Sequence, residues 1–312
     1  MEKIRAIRIH RFGGPEVLQL EEIPPPQPED DGVVVRVHAA SVNPVDYKMR
    51  RGGYPALPPE RLPAVLGRDL SGVVARCGPR AQTLKPGDAI HAMIGRDRGA
   101  YAEEVAVRAT EMTVKPDGLD HIHSAAVPLA GLTAWQGLFR HGGLRAGQRV
   151  LIHGGAGGVG HFAIQFAKAR GAWVATTASA RDLDFVRELG ADQAVDYKAQ
   201  RFEEVVEPVD LVYDLVGGET QSRSWAVVKQ GGALVSTLTE PDQEEARRRS
   251  ARGLRYMAEP NPAELAEIGR LIGQGMVRVV VSRVFPLEQA AEAHHVLEQE
   301  HPRGKVVLRV RD

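Results

Sequence analysis

The fold is decided by residues 149–160, which read RVLIH followed by GGAGGVG. The apolar, β-branched run over 149–153 predicts a strand, and helical spacing predicts a helix over 158–170. The turn between them contains Gly155-x-Gly157-x-x-Gly160, the spacing typical of a dinucleotide-binding turn in a βαβ unit. Glycines there let main-chain amides approach a pyrophosphate at a helix N-terminus. A glycine-rich loop that only connects strand to helix is the alternative interpretation.

The order of elements after this turn favours a parallel sheet. Strand patterns at 172–178, 209–216 and 232–238 alternate with helical patterns, the clearest at 181–189 and 262–272. Alternating strands and helices form right-handed βαβ units, so we expect an α/β, doubly wound sheet.

The end of the second strand of this sheet indicates which cofactor is bound. An NAD site usually has an acidic residue there, about 20 residues after the turn. Residues 175–181 read ATTASAR and contain no carboxylate, but they do contain Ser179 and Arg181. A hydroxyl and a guanidinium suit a 2′-phosphate, so NADPH is the expected cofactor. A solvated surface arginine is the alternative interpretation of Arg181.

The two ends of the chain are β-rich. Short strand patterns at 4–10, 33–37 and 101–107 predict a compact barrel or sandwich. The tail has strand patterns at 278–285 and 305–310. The pattern alone leaves open whether this tail continues the parallel sheet or returns to the first part.

Composition excludes several functional classes. The 312 residues carry 40 basic and 40 acidic side chains, which argues against nucleic-acid binding by phosphate neutralisation and against a polybasic membrane anchor. The sequence lacks the run of roughly 18 apolar residues that a spanning helix needs. The N-terminus lacks the apolar stretch of a signal peptide. We therefore expect a cytoplasmic protein.

A metal centre is not expected. The single cysteine, Cys77, excludes a site built from several thiolates. The eleven histidines are scattered, and the two close pairs, His121/His123 and His294/His295, are predicted to be exposed or capping residues.

The chain resembles the zinc-independent quinone oxidoreductases, the zeta-crystallin-like branch of the medium-chain dehydrogenase/reductases. The resemblance runs nearly end to end and lies in the glycine-rich turn and in FGGPEVL (12–18), SVNPVDYK (41–48), LGRDLSGVV (66–74), PLAGLTAW (128–135), LGAD (189–192) and RGKVVL (303–308). It implies a Rossmann sheet inserted in a GroES-like domain: residues 1–124 form its first part, 125–272 bind the cofactor, and 273–312 return. It also implies no zinc, because the sequence reads Asn43 and Gly67-Arg68-Asp69 where zinc-dependent relatives have ligands.

The same resemblance assigns roles to individual residues. The cofactor-binding residues that it implies are Ala156, Gly157, Gly158 and Val159 at the pyrophosphate, Ser179, Tyr197 and Arg181 at the adenosine phosphate and its ribose, Gly217 after the fourth strand of the sheet, and Thr133 and Leu238 towards the nicotinamide. Asn43, Tyr47 and Lys48 are the expected catalytic residues. Many relatives have an aromatic residue at the position of Lys48, so either Tyr47 or Lys48 is expected to reach the reacting centre.

The expected activity is NADPH-dependent reduction of a quinone or an α,β-unsaturated carbonyl. A cofactor-binding protein with little turnover, resembling a lens protein or a nucleic-acid-binding relative, is the alternative, although neutral charge disfavours the nucleic-acid version. A homodimer is expected from the resemblance and from the apolar stretch 254–258, which would otherwise leave an exposed sheet edge.

Overall fold

The computed structural model describes residues 3–53, 57–81 and 84–311. The chain divides into two compact units. The first unit contains Met1–Leu129, Pro260–Gln274 and Val279–Asp312, and the second contains Ala130–Glu259 and Gly275–Arg278.

The first unit begins as a β-rich chain. Its elements up to the second unit are β1 (Ile4–Ile9), β2 (Gln19–Ile23), β3 (Val33–Val42), α1 (Pro44–Arg50), β4 (Ala64–Val65), β5 (Asp69–Cys77), β6 (Ala89–Met93), β7 (Glu104–Val107), β8 (Met112–Val114) and α2 (His121–Ala125). Proline cannot donate to a strand ladder, so the proline-rich segment 24–28 connects β2 to β3 without pairing. The valines of β3 are fully buried in the core of this unit.

The second unit is a parallel sheet covered by helices. Its elements are α3 (Pro128–Trp135), a π-helical turn (Gln136–His141), β9 (Arg149–His153), α4 (Gly160–Ala169), β10 (Trp173–Ala178), α5 (Leu183–Glu188), β11 (Gln193–Asp196), α6 (Phe202–Val205), β12 (Val209–Asp214), α7 (Gly218–Ser224), β13 (Val228–Ser236), α8 (Gln243–Arg248) and β14 (Arg252–Arg255). The strand order is β11-β10-β9-β12-β13-β14, and every pair is parallel. This is the 3-2-1-4-5-6 order of a Rossmann fold, with its switch point between β9 and β12. The predicted doubly wound sheet is confirmed.

The tail returns to the first unit. It contains α9 (Pro262–Gly273), β15 (Val281–Pro286), α10 (Ala290–Gln299) and β16 (Lys305–Arg309). β16 pairs antiparallel with β3, and β15 pairs parallel with β16. The tail therefore completes the sheet β15-β16-β3-β5-β6-β8, to which β7 is added on β3. The insertion of the Rossmann sheet in a GroES-like domain is confirmed.

The borders of the units differ from the expected ones at 124/125 and 272/273. The first unit extends to Leu129, so the border falls after the second residue of α3, and α9, which is expected in the Rossmann domain, belongs to the first unit. The close approach at Gly269 explains this placement, because a Cβ there would lie 2.9 Å from Cγ of Pro116, just after β8. Helical spacing shows that α9 has a buried face but does not show which neighbour covers it.

Candidate active site

The glycine-rich turn between β9 and α4 has glycines for different reasons. A Cβ on Gly155 would lie 2.1 Å from Oγ1 of Thr176, and one on Gly160 would lie 2.2 Å from the carbonyl oxygen of Gly154. Both glycines are therefore required for close packing inside the protein. A Cβ on Gly157 would meet nothing nearer than the Gly154 oxygen at 3.4 Å. The space at Gly157 is left open by the protein itself, as a bound pyrophosphate requires.

The amides of this turn are available to a ligand. Among the described residues, the main-chain N–H groups of Ala156, Gly158 and Val159 donate to no protein acceptor. All three residues are partly exposed and lie at the N-terminus of α4, where the helix dipole favours an anion. The predicted pyrophosphate residues are therefore brought together, and the turn fits the cofactor.

His153, a buried histidine at the end of β9, is linked to the turn through Thr177. Nδ1 of His153 lies 3.1 Å from Oγ1 of Thr177, which accepts the Gly154 amide at 3.2 Å. Nε2 lies 2.9 Å from Oγ of Ser224, whose hydroxyl donates to the Thr220 oxygen. Nε2 must then carry the proton, and Thr177 donates to Nδ1. Burial lowers the pKa of His153 to about 4, so the ring is neutral. Sequence reasoning missed this residue, although it ends the strand that precedes the turn.

The three residues expected at the adenosine phosphate lie at one edge of the sheet. Ser179 and Arg181 follow β10, and Tyr197 follows β11, with its amide bonded to the Ala178 oxygen. Ser179 donates to Asp182 at 2.6 Å, and Nε of Arg181 lies 3.4 Å from the same carboxylate oxygen. The side chain of Arg181 is 63% exposed, so its guanidinium is accessible to solvent.

Asp214, which ends β12 and is fully buried, organises the neighbouring part of the same edge, because β10, β9 and β12 are parallel. One carboxylate oxygen accepts the amides of Val216 and Gly217, and the other accepts Gln221 and Ser236 side chains, all at 2.8–3.0 Å. Ser236 in turn accepts the amide of Leu238 at 3.1 Å.

This arrangement brings Gly217 and Leu238 together, because a Cβ on Gly217 would lie 3.2 Å from Cδ1 of Leu238. Gly217 also has a φ of 77°, which glycine adopts most readily. The sequence signal that we missed is an aspartate at a strand end, three residues before a glycine.

Thr133 lies on α3 just before the π-helical turn. Its main-chain oxygen accepts hydrogen bonds from the hydroxyl groups of Tyr213 and Tyr256. The bond from Tyr213 is 2.9 Å long. The two phenol oxygens lie 2.6 Å apart, and both rings are buried. Gly137 makes room for them, since a Cβ there would lie 2.4 Å from the Tyr213 ring. π-helical turns occur often at functional sites, which agrees with the role expected of Thr133.

In the first unit, the expected catalytic residues lie on or just before α1. Tyr47 and Lys48 are both partly buried. Burial raises the pKa of Tyr47, and the carboxylate of Glu298 raises it further. The guanidinium of Arg51 lies 5.4 Å from the centre of the Tyr47 ring. The tyrosine is therefore protonated at neutral pH and able to donate a proton or a hydrogen bond.

Asn43 immediately precedes α1 and is 3% exposed. Its Nδ2 group donates to Oδ2 of Asp69 at 3.0 Å and to the Ser41 oxygen at 3.3 Å. Its Oδ1 atom accepts the ammonium of Lys305. The side-chain amide is thus held between a buried cation and a buried anion. Sequence reasoning missed Lys305 and the role of Asp69, although both lie in motifs that carry the resemblance.

A second buried chain of polar groups starts at Asp46 on α1. Its Oδ2 atom accepts a hydrogen bond from the main-chain N–H of Asn43 at 2.8 Å and one from the Tyr101 hydroxyl at 3.0 Å. Tyr101 lies 3.2 Å from Nε2 of His294, and Nδ1 of His294 accepts from Arg50 at 3.0 Å. The other carboxylate oxygen of Asp46 is buried and meets no donor among the described residues. Burial, the largest cause, raises the pKa of Asp46 to about 7.

The histidine pairs differ in part from expectation. His294 is fully buried in the chain just described, so its prediction as an exposed or capping residue was wrong. The helical pattern of α10 allows His294 to lie on the buried face or on the exposed face. Its buried polar partners, Tyr101 and Arg50, come from distant segments of the chain, so the sequence pattern does not show them. His123 lies on α2, outside this buried chain of polar groups. Nδ1 of its ring lies 2.8 Å from the carboxylate of Asp120, and the Asp120 side chain caps that helix.

In the described ranges, no three His, Cys, Asp or Glu side chains come close enough together to hold a metal ion. Within the same ranges, no helix is long and apolar enough to cross a membrane.

Two family models match the chain. Residues 29–117 match the alcohol dehydrogenase GroES-like domain, and residues 189–308 match the family described as zinc-binding dehydrogenase. Among curated proteins, the chain is 37% identical to the chloroplastic NADPH-dependent alkenal/one oxidoreductase of Arabidopsis thaliana, over 95% of this chain and 77% of that protein. That relative is a chloroplast protein, and a cytoplasmic location for this chain stays a prediction.

Solved structures agree with these matches over nearly the whole chain. The quinone oxidoreductase of Coxiella burnetii is 38% identical, with a TM-score of 0.93 over 99% of this chain and 100% of that one. The Escherichia coli quinone oxidoreductase complexed with NADPH is 29% identical, with a TM-score of 0.88 over 98% and 100%. The fold, the dinucleotide turn and these relatives lead to one conclusion: the chain belongs to the quinone oxidoreductases of the medium-chain dehydrogenase/reductase family and is an NAD(P)-dependent oxidoreductase.

Proposed function

We propose that the protein is an NADPH-dependent, zinc-independent reductase that transfers hydride to a quinone or an α,β-unsaturated carbonyl. The observation that carries the proposal is the turn at Gly157, with its open space and its amides of Ala156, Gly158 and Val159 unused by the protein. It lies at the end of β9, beside the switch point of the sheet, where Rossmann folds bind dinucleotides.

The second unit holds the cofactor in this proposal. The turn and the N-terminus of α4 bind the pyrophosphate, and Ser179, Arg181 and Tyr197 bind the 2′-phosphate side. Gly217, Leu238 and Thr133 border the nicotinamide side. NADPH, when bound, supplies the hydride, and the protein contributes positioning and electrostatic stabilisation.

The first unit contributes groups that respond to charge on the substrate. The Lys48 ammonium stabilises an oxyanion that develops on the substrate oxygen. Tyr47 keeps its proton at neutral pH because burial raises its pKa, so it donates a hydrogen bond or the final proton. Asn43 makes its hydrogen bonds inside the unit, and we assign it the role of fixing the start of α1.

Zinc independence is supported by the chemistry of the side chains around Asn43. Arg68 is a permanent cation and donates to the Ile94 oxygen at 2.7 Å, so it cannot act as a zinc ligand. Asp69 already has the ammonium of Lys305 at 3.9 Å and three hydrogen-bond donors. The cation that balances Asp69 is therefore supplied by the protein.

The activity is tested with purified protein, NADPH and a panel of acceptors. A benzoquinone, a naphthoquinone and a conjugated enone are the expected substrates, and a saturated aldehyde is the control. We expect NADPH oxidation with at least one of the first three, little with the aldehyde, and no loss after prolonged chelation. Tight NADPH binding with no turnover on any acceptor would favour the non-enzymatic alternative, and loss of turnover on removal of stoichiometric zinc would refute zinc independence.

A further inference from the structure

The last strand of the protein places a buried ammonium group beside the start of α1. Lys305 is 3% exposed and is the first residue of β16. Its Nζ atom donates to Oδ1 of Asn43 and, at 3.2 Å, to the main-chain oxygen of Val42. Two consecutive residues at the junction of β3 and α1 are thus held by one side chain from the other end of the chain.

The side chain of Asn43 bonds to Lys305 and does not cap α1. It occupies the N-cap position of α1, where an asparagine oxygen usually accepts a main-chain amide of the first turn, a bond typically worth about 1 kcal/mol. Asn43 and Asp46 have the spacing of a capping box, but only one half of it is formed: the Asp46 carboxylate accepts the main-chain amide of Asn43 at 2.8 Å, whereas the Asn43 side chain makes no capping hydrogen bond. The amide of Asp46 is bonded to the main-chain oxygen of Asn43 instead. The sequence therefore uses a good capping residue for a contact with Lys305.

Lys305 and Asp69 carry opposite charges, but both are buried, and burial disfavours the charged form of each. Burial raises the pKa of Asp69 and lowers the pKa of Lys305, and each opposes the shift of the other through its charge. Buried ion pairs are often replaceable by apolar side chains without loss of stability, so stability alone is a weak reason for this pair. Its position explains it better, because Lys305 and Asp69 hold opposite ends of the Asn43 amide.

We propose that Lys305 is a positioning residue for the reduction: through Val42 and Asn43 it fixes the first turn of α1 and hence the placement of Tyr47 and Lys48. The proposal rests on the proposed function only for its kinetic consequence. Its structural part, the fixed Asn43 amide, is tested without turnover.

The structural test uses the asparagine content of the chain. The sequence contains two asparagines, Asn43 and Asn261. Protein labelled with nitrogen-15 in asparagine therefore shows two side-chain amide pairs by NMR, and Asn261→Ser, which keeps an N-cap on α9, assigns them. We expect the Asn43 pair to exchange slowly with solvent. Lys305→Met should shift the Asn43 pair and speed its exchange, while the Asn261 pair stays unchanged.

The charge balance is controlled by further variants. Lys305→Met leaves Asp69 unpaired and destabilises the protein, so Lys305→Met/Asp69→Ser removes both charges and restores folding without adding an asparagine. Lys305→Arg keeps the cation and should restore most of the Asn43 signal. If the Asn43 pair in folded Lys305→Met matches wild type, or exchanges freely in wild type, the proposal is wrong.

The kinetic test separates positioning from structure. Asp69→Ser alone is the matched control, because it also removes a hydrogen bond to Asn43. In the folded double variant we expect kcat to fall roughly ten- to a hundred-fold below wild type and below Asp69→Ser, with KM for NADPH within about twofold, because reacting groups are misplaced while the cofactor turn is intact. Wild-type kcat in the double variant would show that Lys305 only balances Asp69, and would overturn the proposal. If wild type reduces no acceptor, the proposed function fails, and the NMR result alone decides whether Lys305 fixes Asn43.

Discussion

At the scale of single residues, the choice between NADPH and NADH depends on Arg181. A guanidinium beside a 2′-phosphate forms a charge-assisted hydrogen bond worth on the order of 1.5–3 kcal/mol. Arg181→Ala should therefore weaken NADPH binding by roughly ten- to a hundred-fold and leave NADH nearly unchanged. Titration calorimetry with both cofactors measures the two affinities directly.

A matched control is available in the next helix. Arg187 on α5 is also exposed and pairs with Asp184, so Arg187→Ala removes one surface charge without touching the expected phosphate site. Equal weakening of both cofactors by Arg181→Ala would make Arg181 a structural residue. A wild-type preference for NADH would show that the missing strand-end carboxylate was misleading.

The residues that the sequence predicted and those that it missed differ in kind. Ser179 and Arg181 are predicted to contact the cofactor because a cofactor site places a contacting residue at a known strand end, and this stays a prediction. Asp214 and His153 were missed because they support the site through main-chain amides and hydroxyl groups from other strands. Such contacts depend on which strands are neighbours, and a sequence pattern does not show this.

At the scale of elements, the turn at Gly157 permits a test of the cofactor site that leaves the fold intact. A Cβ there meets no protein atom within 3.4 Å, so Gly157→Ala should fold with near wild-type stability. The added methyl group enters the space expected for the pyrophosphate, and cofactor affinity should fall at least tenfold, which corresponds to about 1.4 kcal/mol. Thermal unfolding and calorimetry measure the two effects separately.

Gly155→Ala is the contrasting variant. Its Cβ would lie 2.1 Å from Oγ1 of Thr176, so this change should destabilise the second unit itself. Unchanged cofactor affinity in Gly157→Ala would show that the turn does not bind the pyrophosphate and would remove the main support for the proposed function.

The raised pKa of Asp46, in the first turn of α1, makes the free energy of unfolding depend on pH. In the folded protein the pKa of this carboxyl is raised to about 7, whereas in the unfolded chain it has its ordinary pKa of 3.8. Between these values the folded state binds more protons, so rising pH favours unfolding by roughly 1.4 kcal/mol per unit for this group. Asp46→Asn removes the effect and should gain stability relative to wild type as pH rises from 4 to 7.

The comparison must be between variant and wild type at each pH. Burial lowers the pKa values of His294 and His153 to about 3 and 4, and these groups make the protein more stable as pH rises over the same range. Both histidines are present in both proteins, so the difference isolates Asp46. Urea unfolding at several pH values gives it, and a difference independent of pH would mean that Asp46 is ionised in the folded protein.

At the scale of the whole molecule, the sequence predicted both sheets but not all of their borders. Alternating strands and helices after residue 149 determine the Rossmann sheet, because parallel strands need helical crossovers. The return of β16 to β3 joins residues far apart in the chain, and only the resemblance indicated it. α9 belongs to the first unit, where Gly269 approaches Pro116 closely, and helical spacing alone does not indicate this neighbour.

β14 is an edge strand of the second unit's sheet, and its last two residues, 254–255, belong to the apolar stretch 254–258 from which a homodimer is expected. An unprotected edge invites pairing, and charged side chains usually prevent it. Arg252 on this strand donates to the main-chain oxygens of His141 and Gly142 at 3.1 Å, so its charge is held on its own chain rather than projecting across the edge. We therefore expect two β14 strands to pair across a two-fold axis.

Light scattering at micromolar concentration should give the mass of two chains, and hydrogen exchange followed by mass spectrometry should show protected amides over 252–255. Pairing protects the outward amides of an edge strand, which otherwise exchange rapidly because they face water. A monomeric mass would contradict the homodimer. A dimeric mass with rapid exchange over 252–255 would keep the dimer and place its interface on another surface, because pairing of two β14 strands would protect the amides that face away from β13.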